Sequence, residues 1–157
     1  MSTTVDANIL VYASNRSDPV HGRALELVQA LAAGPDLLYL FWPVVLGYLR
    51  IVTHPAILPT PLSPRDAAAN ADALLTRSHV RSPSEETGFW ELFRMTGRDQ
   101  ARGNEVPDTH LVTLMRQHGV RRIYSRDNGL RRFTGIEVID PFLVPPSRGR
   151  RRRARGG

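Results

Sequence analysis

A chain of 157 residues, 41% of them apolar, can build one domain with a real hydrophobic core. It has no cysteine, which excludes disulfides, thiolate metal sites and cysteine nucleophiles, and its 21 basic residues are all arginine, which removes the lysine of a P-loop or a Schiff base. The net charge of +6 resides in Arg148, Arg150, Arg151, Arg152, Arg153 and Arg155; residues 1–147 carry 15 arginines against 15 acids. No apolar run suits a membrane span, since the longest, Leu37 to Leu49, is broken by Pro43. Asp6 falls where a signal peptide needs its leading apolar segment, so a cytoplasmic protein is expected.

Thr3 to Val5 reads as a first strand ending at Asp6, with a helical turn through Ile9, Leu10 and Tyr12. Asp18-Pro19 supplies a cap and a first-turn proline for a helix whose apolar stripe is Ala24, Leu27, Val28 and Leu31. Gly34-Pro35 ends it. Leu37 to Phe41 is a buried-strand candidate, and Pro43 opens a helix from Val44 to Val52 that His54-Pro55 stops. A proline-rich loop runs to Ser63-Pro64, which caps a helix to about Thr76. Val80 marks a short strand. Ser84 to Thr87 predicts entry to a helix carrying Phe89, Trp90, Leu92 and Phe93, followed by a polar loop from Gly97 to Asn104. Pro107 opens a helix to His118, closed by Gly119. Arg122 to Ser125 and Ile136 to Ile139 read as strands, with a short helix from Asn128 to Phe133 between them. Strands alternating with helices predict an α/β sandwich around a mostly parallel sheet.

Ligand sites in such sheets lie beyond the carboxyl ends of the strands. Asp6 follows the first strand, Asp127 follows the Arg122–Ser125 strand, and Asp108 sits in the first turn of a helix. Singly, each has an ordinary structural use: Asp6 in a turn with Asn8, Asp108 against a helix dipole, Asp127-Asn128-Gly129 as turn chemistry. If the strands are parallel, the three can converge at one sheet edge, where their mutual repulsion would raise a pKa and favour a bound cation. Oxygen ligands suit Mg²⁺ or Mn²⁺, which can activate water against a phosphodiester. Asn8 and Ser125 are placed to orient neighbouring carboxylates or waters.

The segments Val5-Asp6-Ala7-Asn8-Ile9-Leu10-Val11-Tyr12, Pro107-Asp108-Thr109-His110-Leu111 and Tyr124-Ser125-Arg126-Asp127 resemble the signature blocks of PIN domains. With Tyr48-Leu49-Arg50-Ile51-Val52-Thr53-His54-Pro55 between them, the chain is similar to VapC toxins of bacterial toxin–antitoxin modules over about residues 3 to 142. The ordered set is more specific than any one block. The resemblance implies a three-layer α/β/α sandwich over residues 1–144 and Mg²⁺-dependent RNA hydrolysis by Asp6, Asp108 and Asp127. It also implies a homodimer and a VapB-type antitoxin partner. The family pattern has a glutamate where this chain has Gly47; Glu105, three residues before Asp108, could reach in from the loop, but a loop charge facing solvent is the preferred reading.

The residue types leave two other activities open: a PIN-like module that binds RNA or an antitoxin without cutting, and a metal-dependent phosphatase for small phosphoesters. Arg50 is a candidate phosphate contact. Trp42, Trp90, Phe89 and Phe93 read as core or dimer contacts. His21, His54, His79, His110 and His118 lack metal-ligand spacing and read as surface or capping residues. Residues 145–157 read as a disordered arginine-rich tail that either holds RNA phosphates or aids solubility.

The tail reading is testable by RNA-binding titrations across salt concentrations. Deleting residues 148–157 should weaken binding mainly at low salt. If all six arginines meet phosphates, the log–log slope should shrink by about four, at roughly 0.7 per contact. The cleavage rate at saturating RNA should barely change, and an unchanged slope would make the tail a bystander.

Overall fold

The computed structural model describes residues 1–143, so the arginine-rich stretch 145–157 lies outside the described residues. Five parallel strands form one sheet: β1 (Ser2–Val5), β2 (Leu37–Tyr39), β3 (Val80–Arg81), β4 (Arg122–Tyr124) and β5 (Glu137–Ile139). Their order is β3-β2-β1-β4-β5. The chain therefore moves outward from β1 to β3, then returns to lay β4 and β5 on the other side of β1. Right-handed crossovers put the helices of the two halves on opposite faces. Helices α1 (Ala7–Ser14), α2 (His21–Ala33), α3 (Trp42–Val52) and α4 (Pro64–Leu75) cover one face, and α5 (Phe89–Gly97) and α6 (Glu105–Gln117) cover the other. This is the expected three-layer α/β/α sandwich. Its topological switch point, where such folds open a crevice, lies between β1 and β4.

The core is built from both layers. Val5 and Ile123 from the central strands, Ile9 from α1, Phe41 before α3, and Val112 and Met115 from α6 are at most 1% exposed. Central strands buried on both faces read as nearly unbroken apolar or small runs rather than alternating ones. Even the polar members are satisfied: buried Thr4 donates through Oγ1 to the Tyr39 carbonyl at 2.7 Å, tying β1 to β2.

Several helix starts differ from the sequence reading, each for a local reason. The turn after Asp6 is a helix of 8 residues, because the Asp6 carboxylate caps it by accepting from Ala7 N. The Asp18-Pro19 pair makes a separate turn, in which Asp18 Oδ1 accepts from Val20 N at 2.9 Å, and α2 begins only at His21. Ser84 to Glu86 forms no helix and Thr87 lies in a turn; the stretch is held to the end of α6 by the His118 ring on the Ser84 carbonyl and by reciprocal Gln117–Glu86 hydrogen bonds. Helix α6 starts at Glu105, which puts Pro107 inside the first turn, where an N–H has no intrahelical partner to lose. The two tryptophans are not in the core: Trp42 is 40% and Trp90 63% exposed. Each of the five histidines has a structural partner: the carbonyls of Tyr12, Leu31 and Ser84 for His21, His79 and His118, Ala56 N for His54, and Glu85 for His110. Among the described residues, no helix is long and apolar enough to cross a membrane.

Candidate functional site

The register of the central strands builds the site. Val5 pairs with Tyr124, and Asp6 N donates to the Tyr124 carbonyl at 2.9 Å, so the next residues, Asp6 and Ser125, stand side by side at the switch point. Ser125 Oγ donates to Asp6 Oδ2 at 2.8 Å, while Asp6 Oδ1 accepts from Ala7 N at 2.7 Å. The same serine oxygen accepts from Asp127 N at 2.9 Å. One buried hydroxyl therefore links the carboxylate after β1 to the backbone after β4.

Asp127 caps the 3-10 turn Asn128–Arg132, its Oδ1 accepting from Gly129 N at 2.7 Å. Asp108 projects from the first turn of α6. A Cβ placed on Gly129 would lie 3.0 Å from Asp127 Oδ1 and 3.7 Å from Asp108 Oδ2, so both carboxylates crowd the same glycine. Burial pushes the Asp6 carboxyl above its ordinary value against the pull of its two hydrogen bonds, and repulsion from Asp127 adds to the rise. Burial first, then repulsion from Asp127 and Asp6, raises Asp108 despite the opposing charge of Arg132. The three expected acids are thus brought into mutual electrostatic contact.

Asn8 lies between them with a weaker grip, its Nδ2 at 3.5 Å from Asp6 Oδ2 and 3.4 Å from Ser125 Oγ. Its Oδ1 is buried with no hydrogen-bond partner. The reverse amide orientation would set that oxygen against the Asp6 carboxylate. An orphaned buried oxygen is costly, and an oxygen donor set of this kind fits a hard divalent cation and its waters. Among the described residues, however, no three acidic or imidazole groups stand close enough to form a ready metal cage. Mg²⁺ does not require one, since it keeps several waters and uses one or two carboxylates plus phosphate.

Beside these acids opens a cavity of about 380 Å³, lined by Asp6 and Asp108, by Gly47 and Arg50 of α3, and by apolar groups including Val44 and Leu111. Gly47 therefore faces the site. A Cβ there would meet only Ala7 Cβ, at an ordinary 3.6 Å, so the helix has no packing need for glycine at that position. Glu105 does not supply the missing acid; it is exposed and accepts from Arg102 N at 3.2 Å. Sequence reasoning missed Arg132, whose NH1 and NH2 both lie 3.3 Å from Asp108 Oδ2. It stands among 21 similar arginines, and no local signal sets it apart.

The five-stranded parallel sheet in the order β3-β2-β1-β4-β5, with helices on both faces, is a PIN-type α/β/α fold. No family model matches the chain. Ribonuclease VapC48 of Mycobacterium tuberculosis is 49% identical over 143 residues, covering 90% of this chain and 99% of its own length. The crystal structure of Mycobacterium tuberculosis VapC20, a Sarcin-Ricin loop cleaving toxin, shares the fold with a TM-score of 0.62 at 20% identity, covering 86% of this chain and 98% of that one. A chain of a toxin–antitoxin complex from Klebsiella pneumoniae does so with a TM-score of 0.57 at 12% identity, covering 90% and 99%. The chain belongs to the VapC ribonuclease family.

Crowded carboxylates predict a particular pH dependence. A carboxyl whose pKa is raised in the folded state binds protons better folded than unfolded, so its ionisation lowers stability as pH rises above the ordinary value of 3.8. In chelator at pH 7, Asp108→Asn should melt no lower than wild type. The difference should shrink as pH falls through the raised value of the folded carboxyl toward the ordinary 3.8. A clear loss of stability at pH 7, by thermal denaturation, would mean that the Arg132 pair outweighs the repulsion.

Proposed function

We propose that the protein is a cytoplasmic endoribonuclease toxin that hydrolyses RNA phosphodiesters with Mg²⁺ or Mn²⁺ held by Asp6, Asp108 and Asp127. What supports this reading is the chain's place in the VapC ribonuclease family together with Asp6 and Asp108 lining one cavity, each repelled by Asp127. A divalent cation bound there supplies Lewis acidity to the phosphodiester and to an attacking water. The chain's own groups do the rest. Ser125 and Ala7 N fix the rotamer of Asp6, and Asn8 Oδ1 is free to accept from a water at the site. Arg50, exposed on the cavity rim, is placed to hold a substrate phosphate. No protein nucleophile is needed. The arginines from Arg148 to Arg155 would add sequence-independent affinity for RNA beyond a nuclease domain of residues 1–144.

A VapB-type antitoxin is the proposed partner, in keeping with the toxin–antitoxin complex among the fold's relatives. A largely apolar cavity of about 230 Å³, lined by groups including Leu10, Val28, Val45 and Leu74, with Ser14, Gln29, Tyr48, Asn70 and Arg77 among its polar members, offers an amphipathic segment a seat. Trp42 and Leu46, one turn apart on α3 and 40% and 60% exposed, are suited to a homodimer contact.

Cleavage of RNA by the purified protein, abolished by chelator and restored by Mg²⁺ or Mn²⁺, tests the assignment. Asp108→Asn should lower that cleavage by about a hundredfold or more, as loss of electrostatic stabilisation at a reacting centre does. Undiminished cleavage would remove Asp108 from the site, and hydrolysis of a chromogenic phosphate ester in place of RNA would redirect the reading to a phosphatase.

Gly47 favours a second reading, a module that binds RNA without cutting, and one substitution separates the two. Gly47→Glu adds a carboxylate where the structure leaves room for one. It should raise stability in chelator by at most about 1 kcal/mol through helix propensity, less whatever repulsion from Asp6 and Asp108 removes. The stabilisation produced by added Mn²⁺ should grow separately, by a larger metal-induced shift in melting temperature. Cleavage at limiting Mg²⁺ should rise with it. An unchanged metal response would mean that position 47 lies outside the cation's reach.

A further inference from the structure

Arg132 ends the turn that carries Asp127, yet its guanidinium reaches across to α6. Both NH1 and NH2 lie 3.3 Å from the single oxygen Asp108 Oδ2. NH1 also donates to the Gly129 carbonyl at 2.6 Å, and the guanidinium carbon stands 4.4 Å from the centre of the Phe133 ring. An ion pair, a carbonyl of its own turn and an aromatic face thus fix one side chain. The other two arginines between β4 and β5 are engaged elsewhere: Arg126 lies 5.7 Å from the centre of the Tyr12 ring and 5.5 Å from that of Phe142, and Arg131 Nε faces Asn128 Oδ1. Of the three, Arg132 alone pairs with a site carboxylate.

We infer that Arg132 is a resident counter-ion of the site, holding Asp108 when no divalent cation is bound and yielding that oxygen when one binds. This rests on the reading of Asp6, Asp108 and Asp127 as cation ligands. The guanidinium offsets the charge of one carboxylate that Asp127 and Asp6 repel, and ties it to the turn that follows β4. A cation arriving at Asp108 Oδ2 meets a positive charge already there, so the two compete for the same lone pairs. The side chains are 37% and 23% exposed, which makes the latch weak and displaceable. Arg132 acts through Asp108 and is a positioning residue.

The test is calorimetric titration of the chelator-stripped protein with Mn²⁺ at low salt. Arg132→Gln should bind Mn²⁺ about two- to fivefold more tightly than wild type, the scale of a half-exposed ion pair. Arg132→Lys, which keeps the charge, should stay near wild type. Arg131→Gln, which removes a charge from the same turn without a site contact, should not change the affinity. Equal binding by Arg132→Gln and wild type would overturn the inference, and weaker binding would make Arg132 a structural support of Asp108. Equal tightening in both glutamine variants would overturn it as well, reducing the effect to net charge. Failure of every protein, wild type included, to bind Mn²⁺ would instead sink the cation reading on which it rests.

Discussion

The hydrogen bond from Ser125 Oγ to Asp6 Oδ2, 2.8 Å long and formed between residues 119 apart in sequence, is the constraint on which the rest of this site depends. It exists because β1 and β4 are parallel neighbours in one register, with Val5 opposite Tyr124. A slip of one residue would turn Asp6 to the other face of the sheet and break the link. Ser125 also receives Asp127 N, so the same hydroxyl sets where the chain leaves β4 and where the turn bearing Asp127 begins. Asp6, for its part, caps α1. One strand pairing therefore fixes two carboxylates and the start of a helix.

Gathering like charges works against folding. Burial raises Asp6 and Asp108 in their uncharged preference, and each acid feels at least one of the others. Such a cluster survives because the surrounding sheet and the α6 helix over-determine its position. Within α6, Thr109 and Thr113 are buried but satisfied, their hydroxyls donating to the carbonyls of Glu105 and Thr109 at 2.7 and 2.6 Å. The helix that carries Asp108 thus buries its inner face without leaving these hydroxyls unsatisfied. The local instability of the acids sits on a well-held frame.

Much of this was legible in the sequence. Proline and glycine punctuation marks most of the strand and helix boundaries, although the helix after Asp6 reads only as a turn, and the rule that sites lie beyond strand ends singles out Asp6 and Asp127. The helix starts were less legible, because Asp18 and Pro107 carry helix-entry chemistry but serve in a turn and inside a first turn. For the tryptophans the sequence leaves core and dimer contact open, and their exposure removes the core alternative, because apolarity alone does not say which face of a helix a residue occupies. Arg132 was invisible, since its meaning comes from an oxygen 24 residues away in sequence that only packing of the turn against α6 brings within reach. Gly47 was noticed as a departure, but only the cavity beside it tells that the position faces the acids.

The two outer strands are short. β3 has 2 residues and β5 has 3, and the Arg81 guanidinium folds back onto the carbonyls of Ser78 and Val80. Edges this brief offer almost no row of free N–H and C=O groups for another strand to extend. Short edges of this kind guard the sheet against self-templated aggregation. The same feature limits how an extended peptide can be recognised: strand addition is closed to it, and binding must be read out by side chains on the helical layers.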